Sequence, residues 1–360
     1  MKVIHYISSL DQKCGGVATY MQCLSKELGK YCELVVVTRQ SSNPLILGNC
    51  KVLFLPYDKK SFISVFKRIL DEECPDIVHL NGIWQYDLHW VQKESQSRGI
   101  KTFITPHGML EPWSLRHHFI KKCIALLLYE RKALRTADMI FATDKCEHDE
   151  IVRLKLTGKP VPIISNGIDI DEYSIKESWK IKKKILFLSR IHIKKGVELL
   201  LEAVFDIKES LCDYEIVIAG EGDSAYVNKL KKKVKDLALN VSFVGGVYGQ
   251  GKINLIKDAD FMVLPTFSEN FGYVIAESLA CGTPVITTKG TPWEDIETWG
   301  CGRWIDRTRS ELSDAILRMT AMDATSLELM GRSGRDLIKT RFASISMAES
   351  MIKIYNKALL

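Results

Sequence analysis

Short apolar runs alternate with helix-period segments along almost the whole chain. Val3–Ser8 reads as a strand, and Val17, Met21, Leu24 and Leu28 then share one helix face. Strand-like runs follow at Leu34–Thr38, Val52–Leu55, Ile77–Leu80, Thr102–Thr105, Met139–Ala142 and Val161–Ile164, most of them separated by helical patterns. The rhythm then restarts. Ile185–Ser189 predicts a strand, Gly196–Glu209 a helix, Tyr214–Ala219 a strand, and a lysine-rich helix runs to about Ala238. Val241–Val244, Phe261–Leu264 and Pro284–Thr287 complete a second set, and Ser346–Leu359 reads as an amphipathic closing helix. Strands alternating with helices predict parallel sheets covered on both faces. The α/β class follows, as two doubly wound domains facing across a cleft. The polar stretch Asp169–Lys184 has no strong period and marks the junction. The expected domains are 1–168, 169–343 and a terminal segment 344–360.

Composition narrows the function classes. At 360 residues, 46% hydrophobic and 26% charged, the chain is ordinary globular protein. A net charge of +6 is too mild for a dedicated nucleic-acid binder. The charge is uneven: residues 1–170 carry a net of +5 and seven of the eight histidines. That half is the one expected to meet an anionic or lipid-associated partner. Ten scattered cysteines without a C-x-x-C pair signal neither a metal nor a disulfide framework. With no leader pattern at its start, the chain is expected to be cytoplasmic, or peripheral at the inner face of the plasma membrane.

In doubly wound sheets, ligands bind beyond the carboxyl ends of the strands. The unusual residues gather there. Ser268-Glu269-Asn270-Phe271-Gly272-Tyr273 follows a strand and opens a helix carrying Glu277. Its free N–H groups suit a phosphate, and carboxylates on either side suit a ligand with hydroxyls at both ends, such as a sugar nucleotide. The same string also serves as a helix cap followed by a solvent-facing glutamate. Arg190 and Lys195, five residues apart after another strand, suit a diphosphate and the charge that develops on it as it leaves. A plain basic surface loop has the same composition. Gly15-Gly16 is half of a dinucleotide fingerprint, equally a tight turn. His107 ends a strand, as structural histidines also do. Two D-x-D strings, Asp169-Ile170-Asp171 and Asp258-Ala259-Asp260, avoid the strand ends, so no metal and no cofactor are expected.

Arg190…Lys195-Gly196, Glu269-x7-Glu277 with Phe271-Gly272, and Gly282-Thr283-Pro284-Val285 together resemble the retaining glycosyltransferases of family 4. Asn166-Gly167-Ile168-Asp169, Thr105-Pro106-His107-Gly108 and Gly15-Gly16 are similar to further motifs of that family. The resemblance spans residues 14 to about 295. It implies the GT-B architecture, with the acceptor mostly on the first domain, the nucleotide sugar mostly on the second, and the last helix crossing back. It implies that Arg190 and Lys195 hold the diphosphate, Glu277 the ribose hydroxyls, and Glu269 with Asn270, Phe271 and Gly272 the donor sugar and phosphate. His107 would reach the donor sugar, Gly15 and Gly16 would admit the phosphates, and Gly246-Val247 would meet the base. Ser189 and Ile193 depart from frequent choices, and Asn81 stands where a histidine often occurs. Gly290-Thr291-Pro292-Trp293-Glu294 looks like a subgroup associated with bacterial surface polysaccharide.

The resulting expectation is retaining transfer of a hexose-type sugar from a UDP- or GDP-sugar to a glycan or lipid-linked glycan. The alternatives are a non-catalytic subunit of a polysaccharide assembly complex or a sugar-nucleotide epimerase. A nicotinamide-dependent dehydrogenase lacks its G-x-G-x-x-G. The helical stretch 116–135 puts His117, His118, Lys121, Lys122, Lys132 and Arg135 on one side and Phe119, Cys123, Leu126, Leu127 and Leu134 largely opposite. It predicts either a solvated basic face or a contact with an anionic membrane.

Overall fold

The computed structural model describes residues 1–11, 15–116 and 119–360. The chain divides into two compact units, Met1–Gly167 with Ser344–Leu360, and Ile168–Ala343.

The first unit carries strands β1 (Lys2–Ile7), β2 (Glu33–Arg39), β3 (Lys51–Leu55), β4 (Ile77–Asn81), β5 (Lys101–Thr105) and β6 (Met139–Ile140). They pair in parallel in the order β3-β2-β1-β4-β5-β6. The second unit carries β7 (Lys184–Leu188), β8 (Glu215–Ala219), β9 (Val241–Gly245), β10 (Phe261–Leu264), β11 (Val285–Thr288) and β12 (Gly302–Ile305). Their order is β12-β11-β10-β7-β8-β9, again parallel. Read from its first strand, each sheet has the same doubly wound order. The chain moves outward from the first strand on one side, then restarts on the other. The strand order therefore reverses between β1 and β4, and between β7 and β10.

Helices cover both faces of such sheets, so central strands read as unbroken apolar runs rather than alternations. Val35, Val36 and Val37 of β2 and all four residues of β10 are buried. Helices start on side-chain caps where the sequence supplies them: Asp58, Asp144, Asp223, Thr308 and Asp323 each accept from an amide three residues on. The closing helix, Ser344–Leu359, buries Met347, Ala348, Met351 and Tyr355 and lies along the helix Gly16–Leu28 of the first unit.

Three elements differ from the sequence expectation. Val161–Ile164 is not a strand but a single bridge, Ile163 to Ala142. Pro160 and Pro162 lack the N–H groups that a ladder needs. Conversely, Gly302–Ile305 is a strand although Arg303 and Trp304 break the apolar run. It pairs only with β11, so half of it needs no apolar character. The stretch 116–135 is not one regular helix: Pro112–Arg116 and Phe119–Ala125 precede a wide π turn, Leu126–Glu130, and then Arg131–Thr136. Among the described residues no helix is long and apolar enough to cross a membrane.

Candidate functional site

The second unit assembles its chemistry at the reversal between β7 and β10. Two loops leave these neighbouring strands and lock together. Phe267 N–H and the Thr266 hydroxyl both donate to the Lys194 carbonyl, at 2.8 and 3.1 Å. Gly196 has φ +78°, and a Cβ there would lie 2.1 Å from the Pro265 carbonyl oxygen. Only glycine permits both the left-handed backbone and that approach. The interlock brings Lys195 Nζ to 2.5 Å from Glu269 Oε1, with the two side chains only 13% and 11% exposed. Residues far apart in sequence thus present a cation and a carboxylate at one point.

The helix Tyr273–Ala280 begins just beyond. Gly272, at φ +79°, is its cap, and no side chain satisfies its first amides. Phe271 is not a ligand-facing ring. It packs against Trp293 and Phe342, and its carbonyl accepts from the Trp293 indole N–H. That core contact fixes the backbone at the start of the helix, whose first amides carry no side-chain cap and are open to an anion. Asn270 lies partly buried between Glu269 and this turn. One turn into the helix, Glu277 is 2% exposed. Its Oε1 accepts from Lys252 at 2.7 Å and from the Tyr173 hydroxyl at 3.1 Å. Its Oε2 is buried with no hydrogen-bond partner. A buried carboxylate oxygen without a donor is costly, and a ligand hydroxyl removes the cost.

The remaining expected residues of this unit follow other strand ends of the same sheet. Arg190 is exposed at the end of β7 and makes no ion pair among the described residues. Gly246 and Val247 follow β9, and Gly246 lies against the Glu221 carboxylate from the loop after β8. In this structure Lys195 pairs with Glu269 rather than standing alone beside Arg190. The Asp258 carboxylate takes Lys182 and Lys184, at 2.5 and 2.7 Å, while Asp260 accepts from the amides of the same two residues. That D-x-D string therefore anchors β7.

Lys252, Tyr173 and Trp293 were not legible as site residues in sequence. Lys252 and Tyr173 belong to no local pattern, although Lys252 stands just beyond the expected base-contacting loop, and Trp293 stood out only within the Gly290–Glu294 string.

In the first unit, Gly15 caps the helix Gly16–Leu28 without a side-chain bond. The neighbouring Cys14 is outside the described residues, as are His117 and His118. His107 follows β5 with φ +55°, is 7% exposed, and meets the Tyr20 ring edge-on at 4.5 Å. Its Nε2 lies 3.1 Å from Asn81 Oδ1. Burial lowers its pKa to about 3, leaving the ring neutral. The next amide, Gly108 N–H, donates to Glu147 at 2.5 Å, and Thr143 donates twice to the same carboxylate. Burial pushes Glu147 up to about 7 against those bonds.

Residues 169–336 match the family described as glycosyl transferases group 1, and residues 14–172 match glycosyltransferase family 4. Between them the two glycosyltransferase models match residues 14–336 of the chain. Over 298 residues the chain is 22% identical to a phosphatidylinositol N-acetylglucosaminyltransferase gpi3 subunit of Schizosaccharomyces pombe. The match covers 82% of this chain and 64% of the relative, so the chain spans less than two thirds of that relative's length. Sucrose-phosphate synthase from Thermosynechococcus elongatus superposes with a TM-score of 0.81 at 20% identity, covering 99% of this chain and 98% of that one. Anabaena Alr3699/HepE in complex with UDP and glucose superposes at 0.78 and 18% identity, over 99% and 100%. These likenesses establish the GT-B fold, two Rossmann-like domains in one chain.

Proposed function

We propose that this chain transfers a hexose-type sugar from a UDP- or GDP-sugar to a glycan or lipid-linked glycan, with retention at the anomeric carbon. The carrying observation is the convergence of Lys195, Glu269 and open helix amides where the order of the second sheet reverses. Such a point suits a diphosphate flanked by hydroxyls. The unpartnered Glu277 oxygen supports a ribose beside it, and the solved HepE complex holds UDP and glucose.

In this reading Lys195, Arg190 and the Phe271 and Gly272 amides bind the diphosphate and offset the charge it gains on leaving. The bond from the anomeric carbon to the phosphate oxygen breaks, and the bond to the acceptor oxygen forms on the same face. The acceptor proton passes to the departing phosphate. His107 and Glu269 hold sugar hydroxyls. Gly15 and Gly16 give the phosphates close backbone approach, and Gly246-Val247 borders the base. The residues present supply the neutralising charge without a metal.

The first test is thermal shift with UDP, GDP, ADP and NAD in EDTA. A shift with UDP or GDP supports the reading and names the base. A shift with NAD alone replaces it with a dehydrogenase, and silence from all four shifts weight to a non-catalytic subunit. The anomeric proton coupling of the isolated product then reads retention directly.

The acceptor side carries a second observation. Phe119, Ile120, Ile124, Leu127 and Leu128 all face solvent, whereas Leu134 is buried and Leu126 is partly so. These apolar residues point outward beside the exposed Lys121, Arg131, Lys132 and Arg135. Within the π turn Glu130 is buried and accepts from the Trp84 N–H at 2.8 Å. An apolar patch ringed by cations suits an anionic bilayer surface at the inner face of the plasma membrane. The double change Ile124→Glu with Leu127→Glu is expected to abolish sedimentation with phosphatidylglycerol vesicles. Equal sedimentation of both proteins refutes the contact.

A further inference from the structure

The first unit buries three histidines around one asparagine. Asn81, at the end of β4, is 3% exposed, and the backbone orients its amide. Nδ2 donates to the Tyr6 carbonyl at 3.1 Å, an oxygen that can only accept. The Oδ1 end therefore faces His107 Nε2. An acceptor on the asparagine requires a donor on the ring. His107 thus carries its proton on Nε2, and Nδ1 keeps a lone pair that has no protein hydrogen-bond partner among the described residues.

The His79 carbonyl also faces Nδ2, at 3.4 Å, and the other Nδ2 proton goes to the nearer His5 Nδ1 at 3.2 Å, so that nitrogen accepts. His5 then donates through Nε2 to the Tyr355 oxygen at 3.0 Å. Tyr355 donates to His79 Nδ1 at 2.5 Å, and His79 Nε2 donates to the Thr105 hydroxyl at 2.7 Å. Every link from His107 to Thr105 donates in the same direction. Reversing the chain would set a protonated His5 Nδ1 against the Asn81 amide protons, donor against donor. Nor does protonation relieve such a clash at neutral pH. Burial lowers His5 and His107 to about 3 and His79 well below its ordinary 6.5.

We propose that Asn81 is a positioning residue that locks His107 as the Nε2–H tautomer, so that Nδ1 presents an acceptor to a sugar hydroxyl. The use of Nδ1 rests on the reading of His107 as a sugar contact; the lock itself does not. Tyr355, on the closing helix, satisfies the far end of the relay without setting its direction. That direction comes from the Tyr6 carbonyl through Asn81.

Long-range proton–nitrogen spectra of the full chain labelled with 15N-histidine decide the matter at pH 7. His107→Gln assigns the His107 signals. In the unsubstituted protein His107 is expected to be protonated on Nε2 alone. In Asn81→Ala its two ring nitrogens are expected to move toward a shared, exchange-averaged position, with the KM for donor rising about tenfold. Tyr355→Phe leaves Asn81 held by Tyr6, so its His107 signals are expected to stay in place. Three results overturn the lock: protonation on Nδ1 in the unsubstituted protein, an unmoved tautomer in Asn81→Ala, or an equal change in Tyr355→Phe. If Asn81→Ala fails to fold, the spectrum of the unsubstituted protein decides alone. A shifted tautomer with unchanged donor KM leaves the lock standing and removes the sugar contact.

Discussion

In the proposed reaction Lys195 starts with its charge already engaged by Glu269. An arriving diphosphate must share that ammonium, which ties the two side chains to one event rather than to separate subsites. Lys195→Ala is expected to lower kcat by about 10²–10³-fold, the usual effect of losing one group that stabilises developing charge. The melting temperature should fall as well, because the variant leaves the nearly buried Glu269 carboxylate without its cation, so kcat is read below the variant's transition. A kcat within threefold of the unsubstituted enzyme refutes the role. Glu277→Gln keeps the shape but removes the anionic acceptor. Nucleoside diphosphate affinity should fall by about 10-fold or more, as for loss of a hydrogen bond to a charged group; calorimetric titration reads it. Lys195, Glu269 and Glu277 could be picked out in the sequence because each stands at a strand end or on the following helix. Lys252 and Tyr173 could not. Their contact with Glu277 spans 25 and 104 residues, and no local spacing encodes it. Asn81 was noticed only as a departure from the family pattern. Its partners, Tyr6 and His5, come from the neighbouring strand β1.

At the scale of elements, the parallel strands were legible because both faces are buried and the runs are therefore continuously apolar. The same rule explains the misreadings. Val161–Ile164 is apolar yet lacks donors at its prolines, and Gly302–Ile305 escapes the rule as an edge. The π turn has no sequence signature in an otherwise helical run. The loop interlock at Gly196 gives a direct stability test. Gly196→Ala places a methyl group against the Pro265 carbonyl in a left-handed backbone. The expected cost is about 2 kcal/mol or more, from backbone conformation before the clash is counted. Urea unfolding measures it. An unchanged midpoint shows that the two loops are not held by this approach. Because the interlock also sets Lys195 beside Glu269, the same variant should lose turnover even where it remains folded.

The whole molecule inherits a pH dependence from its buried groups. His5, His79 and His107 are neutral in the fold, with depressed pKa values, and titrate near 6.5 when unfolded. Their contribution to stability is complete above pH 6.5 and is lost as pH falls from 6.5 toward 3. Glu130 and Glu147 act in the opposite sense. Burial pushes both up to about 7 from an ordinary 4.5, so they cost stability as pH rises through that window. The depressed histidines, His89 among them, outnumber the raised carboxyls, Asp144 among them, so acidification below 6.5 is a net loss of stability that steepens once the carboxyl offset ends. Denaturant midpoints at pH 7, 5.5, 4.5 and 3.5 should fall with the largest step last. A midpoint that rises on acidification to 5.5 contradicts the assignment of neutral histidines.

Tyr355 closes the polar cluster between His5 and His79, across 350 and 276 residues of chain. During synthesis those two histidines emerge long before their shared hydroxyl. At about 5–20 residues per second, the nascent first unit waits on the order of tens of seconds for it. Through that interval the groove along Gly16–Leu28, later filled by Met347, Met351 and Tyr355, stays open. The ribosome-bound chain therefore offers a defined apolar slot to a chaperone, and the closing helix is the segment that must displace it.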